Sequence, residues 1–128
     1  MTMRNLTTAL LIGMLGASHV HANDIMIAGH GAQPCAVLNA NIREGEGWAT
    51  NALTQGAMSW MQGFASGVNA MKSEAAKQYF DLSTISRDEQ WAYVLDFCRR
   101  NPSQDFSHAV VQMIVHRLRL INGGPLVQ

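Results

Sequence analysis

The chain has 128 residues, nine Lys/Arg against nine Asp/Glu, two cysteines and 48% hydrophobic residues. That length suits one domain with a modest core, and the lack of a basic stripe argues against nucleic acid as a partner. There is also no polybasic run or cationic amphipathic helix of the kind that holds a protein to a membrane surface.

The N-terminus reads as a targeting segment. Arg4 forms a short positive region, and Leu6–Leu15 is an apolar run of signal-peptide length. The run is too short to span a bilayer comfortably, which takes about 20 apolar residues. Val20-His21-Ala22 places valine at −3 and alanine at −1, so residues 1–22 are expected to be a signal peptide cleaved after Ala22. The alternative is an uncleaved N-terminal anchor. A lipoprotein fits less well, because Cys35 lies far beyond the apolar run. Cleavage removes Arg4 and leaves nine acids against eight bases, on a chain expected in the periplasm without stable membrane insertion.

Cys35 and Cys98 both survive this processing. In an exported chain of this size they are most simply one disulfide, worth about 4 kcal/mol in the chain-entropy model. Two buried free thiols are the alternative. A metal pair fits poorly, since no histidine or third cysteine sits beside either one.

Residues 23–34 have little periodicity and read as a flexible N-terminal arm. Cys35–Ile42 can make one or two helical turns, and Arg43-Glu44-Gly45-Glu46-Gly47 ends them. A long helix is expected over 48–77, with Leu53, Ala57, Trp60, Phe64, Val68 and Met71 on one face. Gly56, Gly63 and Gly67 lie inside it, each at a cost of up to about 1 kcal/mol. Such glycines suggest close approach of another helix. The expected seam is Trp60, Gly63, Phe64 and Gly67 against Trp91 on the helix that carries Cys98. A cleft lined by these glycines is the competing reading.

Gln78–Ser86 reads as an apolar loop folded back over the core. Ser86-Arg87-Asp88-Glu89 is a capping box that opens the next helix. Trp91, Val94, Leu95 and Cys98 follow at helical spacing, and Asn101-Pro102 stops it. A third helix restarts at Ser103, with Phe106, Ala109, Val110, Met113, Ile114 and Ile121 on its main face and Leu118 at its edge. Val111 and Val115 widen that face. Asn122-Gly123-Gly124-Pro125 terminates it, and 123–128 is a tail. With no alternating strand pattern in view, the expected class is all-α. The expected architecture is a small bundle of three main helices plus a short N-terminal helical segment pinned by one disulfide, within residues 35–122.

No catalytic constellation has specific spacing. His108 and His116 share a helix face within roughly 80°, but they need further ligands to hold a metal. Glu44 and Glu46 sit in a glycine-flanked loop, a poor platform for acid–base work. No cofactor or metal is therefore expected. The candidate partner-binding residues are Arg99 and Arg100, at the end of the second helix, and Val111 and Val115 on the third.

WMQGFASGVNAM, QWAYVLDFCRRNP and FSHAVVQMIVHRL, after an early cysteine and a signal, carry a resemblance. The chain resembles the broad group of small helical periplasmic proteins that includes the acid-stress chaperone HdeA and the Tai-type immunity proteins. The resemblance implies a disulfide-stapled α-helical domain without enzymatic activity that binds another protein. Cys35 and Cys98 are the residues it carries over, as the disulfide pair. HdeA-type chaperones are rich in Lys, Asp and Glu, whereas charged residues are 14% here. The runner-up functions are an accessory component of an envelope secretion or conjugation assembly, and a small-ligand binder or enzyme using the glycine-lined helix face.

Overall fold

The computed structural model describes residues 27–123. The expected signal peptide and cleavage site, the first part of the expected arm and residues 124–128 lie outside the described residues. A 3-10 helix (Gly29–Ala32) leads into α1 (Cys35–Asn41), α2 (Ala52–Ala76), β1 (Gln78–Asp81), α3 (Arg87–Arg100), α4 (Phe106–Arg117) and β2 (Arg119–Asn122).

Local chemistry sets the long helices. At the start of α2 the Asn51 side chain accepts from the Thr54 N–H, and the Thr54 hydroxyl accepts from the Asn51 N–H. This reciprocal cap satisfies two orphan donors and delays the helix start from 48 to 52. The helix ends at Lys77, whose left-handed backbone (φ 52°) turns its N–H back to the Ser73 carbonyl. The Ser86–Glu89 box opens α3 as its sequence signals, with both arms of the cap made.

The core is one cluster. Met58, Met61 and Ala65 of α2 meet Trp91, Val94 and Leu95 of α3 and Phe106, Val110, Met113 and Ile114 of α4. α3 packs on α4 and α1. α2 packs on the 3-10 helix, β1 and α4. Buried Gln90 ties these layers together. Its amide donates to the carbonyls of Leu82 (3.3 Å) and Ile85 (3.1 Å), and its oxygen accepts from Gln62. The 78–86 segment is thus held over the core, with Phe80, Leu82 and Ile85 packed on it.

The all-α bundle of three main helices and a short N-terminal segment is corrected. Among the described residues there are four α-helices and a two-stranded antiparallel sheet, with Gln78 opposite Asn122 and Asp81 opposite Arg119. Ile121 does not extend the face of α4. That helix stops at Arg117, and Leu118 is already extended. Leu120 and Ile121 instead find cross-strand partners in Phe80 and Tyr79. Each strand is four residues long, too short to show a period-2 pattern, and the partners are far apart in sequence.

The arm reading also changes. From Gly29 the chain is structured, and Gly31 is buried. Gln33 accepts from the Phe106 N–H (2.9 Å). Cys35 and Ala36 donate to the carbonyls of Gln104 (2.7 Å) and Pro102 (2.9 Å). This ladder lays the N-terminal segment along the α3–α4 connection. The Cys35–Cys98 disulfide locks it at one end, with both cysteines fully buried.

Candidate functional site

The expected helix seam is split by the structure. Trp60 stacks on Phe64 with ring centroids 5.0 Å apart and leans on Phe106 of α4 at 5.9 Å. Its indole N–H donates to the Ala28 carbonyl at 3.0 Å. Trp91 is buried in α3, with its indole N–H lacking an acceptor among the described residues. Gly63 and Gly67 belong to neither contact. A methyl added at either position meets nothing within 4 Å among the described residues. The close approach lies elsewhere. At Gly31 an added methyl would overlap the Trp60 indole, and at Gly56 it would overlap the His30 imidazole. The glycines that permit packing therefore sit where the 3-10 helix crosses α2.

The outward side of α2 is unusual for a solvated helix face. Gln55, Ser59, Gly63, Ser66, Gly67 and Met71 are exposed along it, Met71 at 76%. From Ala52 to Met71 the helix carries no charged residue. A surface helix ordinarily places charge opposite its apolar stripe. This side is instead flat, small-residued and neutral.

The sequence-derived partner residues fall in two places. Arg100 reaches back to Asp96 across one turn as an exposed ion pair, of a kind worth little. Arg99 lines a cleft of about 320 Å³ between the Gly45–Gly47 loop and α3, with Asp88, Trp91 and Leu95. The cleft's carboxylates are engaged in structure. Asp88 accepts from the Trp48 indole at 2.9 Å and Glu46 from the Arg43 N–H at 3.1 Å. Val111 and Val115 are exposed at 39% and 56% on α4. Val115 sits about 13 Å along the axis from the end of α4 that adjoins Arg99 and Arg100. The four residues are not brought together as one patch.

Two carboxyls are held in their charged form by local hydrogen bonds. The Asp81 carboxyl is held below its ordinary value by the Ser83 hydroxyl, then by the Arg119 guanidinium and the Ser83 N–H. Glu89 is lowered by the Ser86 N–H and hydroxyl of its capping box. Glu89 lines a shallow cleft with Tyr93, Asp96 and Arg117, where its carboxylate is engaged by Ser86. His116 bonds Gln112 within α4. Among the described residues no group of three or more His, Cys, Asp or Glu is placed to hold a metal.

A buried disulfide suits an oxidising compartment, and among the described residues no helix is long and apolar enough to cross a membrane. No protein-family model matches the chain, and no curated protein or solved structure matches it either.

Proposed function

We propose that this is an exported, periplasmic protein that works without catalysis by binding another protein. It would act as an immunity protein, an inhibitor or a chaperone of the HdeA kind. The observation that carries the reading is the neutral outward side of α2. Gly63 and Gly67 each cost a helix up to about 1 kcal/mol, and nothing among the described residues uses the space they leave. A second polypeptide laid against this side would use it, because small residues allow close backbone approach. The absence of charge from Ala52 to Met71 removes the cost of desolvating charge, the largest such cost, and leaves only that of neutral groups such as Gln55 and Ser59. The sequence resemblance to HdeA and Tai-type proteins, drawn from residue pattern alone, points to the same class of action.

The test is capture from periplasmic extract at neutral and acidic pH by the full chain and by Gly63→Arg. Arginine is a better helix former than glycine, so the variant keeps its fold while its side chain obstructs the face. A protein retained by the wild type and lost tenfold or more from the variant is expected. Recovery of no protein at either pH, or equal recovery by both chains, would sink the proposal.

A further inference from the structure

We propose that the outer edge of β2 is a pairing site for a second copy of this chain. The two copies would form a closed four-stranded sheet in the order β1-β2-β2-β1. The inference starts from inequivalent edges. The Asn69 side chain, on α2, donates to the Phe80 carbonyl at 2.7 Å and accepts from the Phe80 N–H at 2.7 Å. An amide group thus takes the place of a neighbouring strand and closes the outer edge of β1.

The same clamp fixes the direction of the groups on β2. Phe80 spends its N–H and C=O on Asn69, so the Phe80–Leu120 pair is of the non-hydrogen-bonded type. In an antiparallel ladder both members of such a pair point their backbone groups away from each other, and the type alternates along the strand. Gln78–Asn122 is therefore of the same type, and Lys77–Gly123 is bonded, as the Gly123 N–H to Lys77 carbonyl contact of 3.2 Å shows. The N–H and C=O of Leu120 and Asn122 all face outward. Both residues are exposed, Leu120 at 42%. Among the described residues the edge carries no proline and no inward charge, two common devices that blunt edges; its safeguards are its short length and the exposed Arg119 at one end.

A second β2 fits this edge about a two-fold axis through Ile121. Leu120 of each copy then bonds Asn122 of the other, giving about four backbone hydrogen bonds. The two Ile121 residues meet as a close pair, with Cα atoms about 4.5 Å apart. Arg119, already paired with Asp81 at 2.8 Å, falls opposite Gly123, so no like charges meet. Each outer edge of the joined sheet is closed by an Asn69 side chain. The assembly therefore ends at two copies and does not grow into a fibre. Four residues cover only a few hundred Å², below the ~1,000 Å² of stable interfaces, so the association is weak and concentration-dependent.

The experiment is sedimentation equilibrium of the full chain from about 10 μM to about 1 mM, a range suited to small interfaces. It is run beside Leu120→Pro and with residue-resolved amide exchange on the wild type. The mass of the wild type should rise toward twice its monomer value and stop there. Leu120→Pro removes an outward donor and leaves the bonds to β1 intact, so it should stay monomeric. With rising concentration the Leu120 and Asn122 amides should gain protection at least tenfold, while Ile121 stays constant. A wild type that is monomeric throughout overturns the proposal. So does a variant that dimerises equally, or a dimer whose Leu120 and Asn122 amides remain unprotected. The exchange arm decides the matter even where the proline variant fails to fold.

Discussion

Two pairs of glycines divide the molecule. Gly31 and Gly56 sit where the 3-10 helix crosses α2, against Trp60 and His30. Gly63 and Gly67 lie further along α2, and among the described residues nothing stands against the space their missing side chains leave. The first region is zipped: a stacked aromatic pair backs the crossing, and directly after it Gln33, Cys35 and Ala36 make backbone hydrogen bonds to the α3–α4 connection beside a buried disulfide. The second is open: the neutral side of α2 and the ribbon that packs on it offer surface to something outside the chain. A helical glycine is therefore not a marker of packing in itself. What stands against it decides what its missing side chain is for.

The largest effect should come from unlocking the zipped region. Cys98→Ser removes a crosslink spanning 63 residues, worth about 4 kcal/mol by loop entropy. For a domain of this size that corresponds to a fall in Tm on the order of 20 °C. A melting curve unchanged by the substitution, or by verified reduction, would mean the backbone ladder alone fixes the N-terminal segment.

The contrast between the glycine pairs predicts opposite signs for one substitution. Gly31→Ala drives a methyl into the rigid indole of Trp60 in a buried site. Overpacking of this kind costs about 1–3 kcal/mol. Gly63→Ala and Gly67→Ala meet open space, so each should stabilise by roughly 0.5–1 kcal/mol through helix propensity. Denaturant melts of the three variants check this. Destabilisation at Gly63 would show that the open face is occupied within the free protein after all.

Sequence patterns reached some of this and not the rest, for identifiable reasons. The Ser86–Glu89 box, the stop at Asn101-Pro102 and the single disulfide follow from local chemistry and compartment, and all three are present. The apolar residues of Gln78–Ser86 rightly indicated a segment held on the core. The ribbon escaped notice because its register depends on the Asn69 clamp and on Arg119 meeting Asp81, contacts between residues distant in sequence. Leu118, Leu120 and Ile121 keep a spacing that a helix tolerates, so periodicity alone favoured continuing α4. The glycine seam failed because spacing reports which residues share a face, not what that face meets. Arg99, Arg100, Val111 and Val115 share exposure but lie apart, and exposure alone did not distinguish them from the neutral face of α2.

The smallest effect separates the two regions by acid. The Asp81 carboxyl caps the Asp81–Ser83 turn through the Ser83 N–H (3.0 Å) and hydroxyl (2.6 Å), and it pairs with Arg119 across the ribbon. These contacts lower its pKa in the folded state. In the unfolded chain it titrates at the ordinary aspartate value of about 4. Its stabilising contribution is therefore complete above that value and is lost as pH falls through the lower folded one. Glu89 acts in the same direction at the start of α3. The zipped region relies on backbone bonds, a disulfide and apolar packing, none of which titrates in this range. Amide protection factors at Tyr79 and Ile121, corrected for the intrinsic slowing of exchange in acid, should accordingly fall as pH drops from about 5 to about 3, before those at Val94 or Val110 change. Asp81→Asn should exchange faster at neutral pH and respond less to acid. A ribbon and core that loosen together in wild type and variant alike would show that acid acts on the whole domain, and the division drawn from the glycines would not extend to stability.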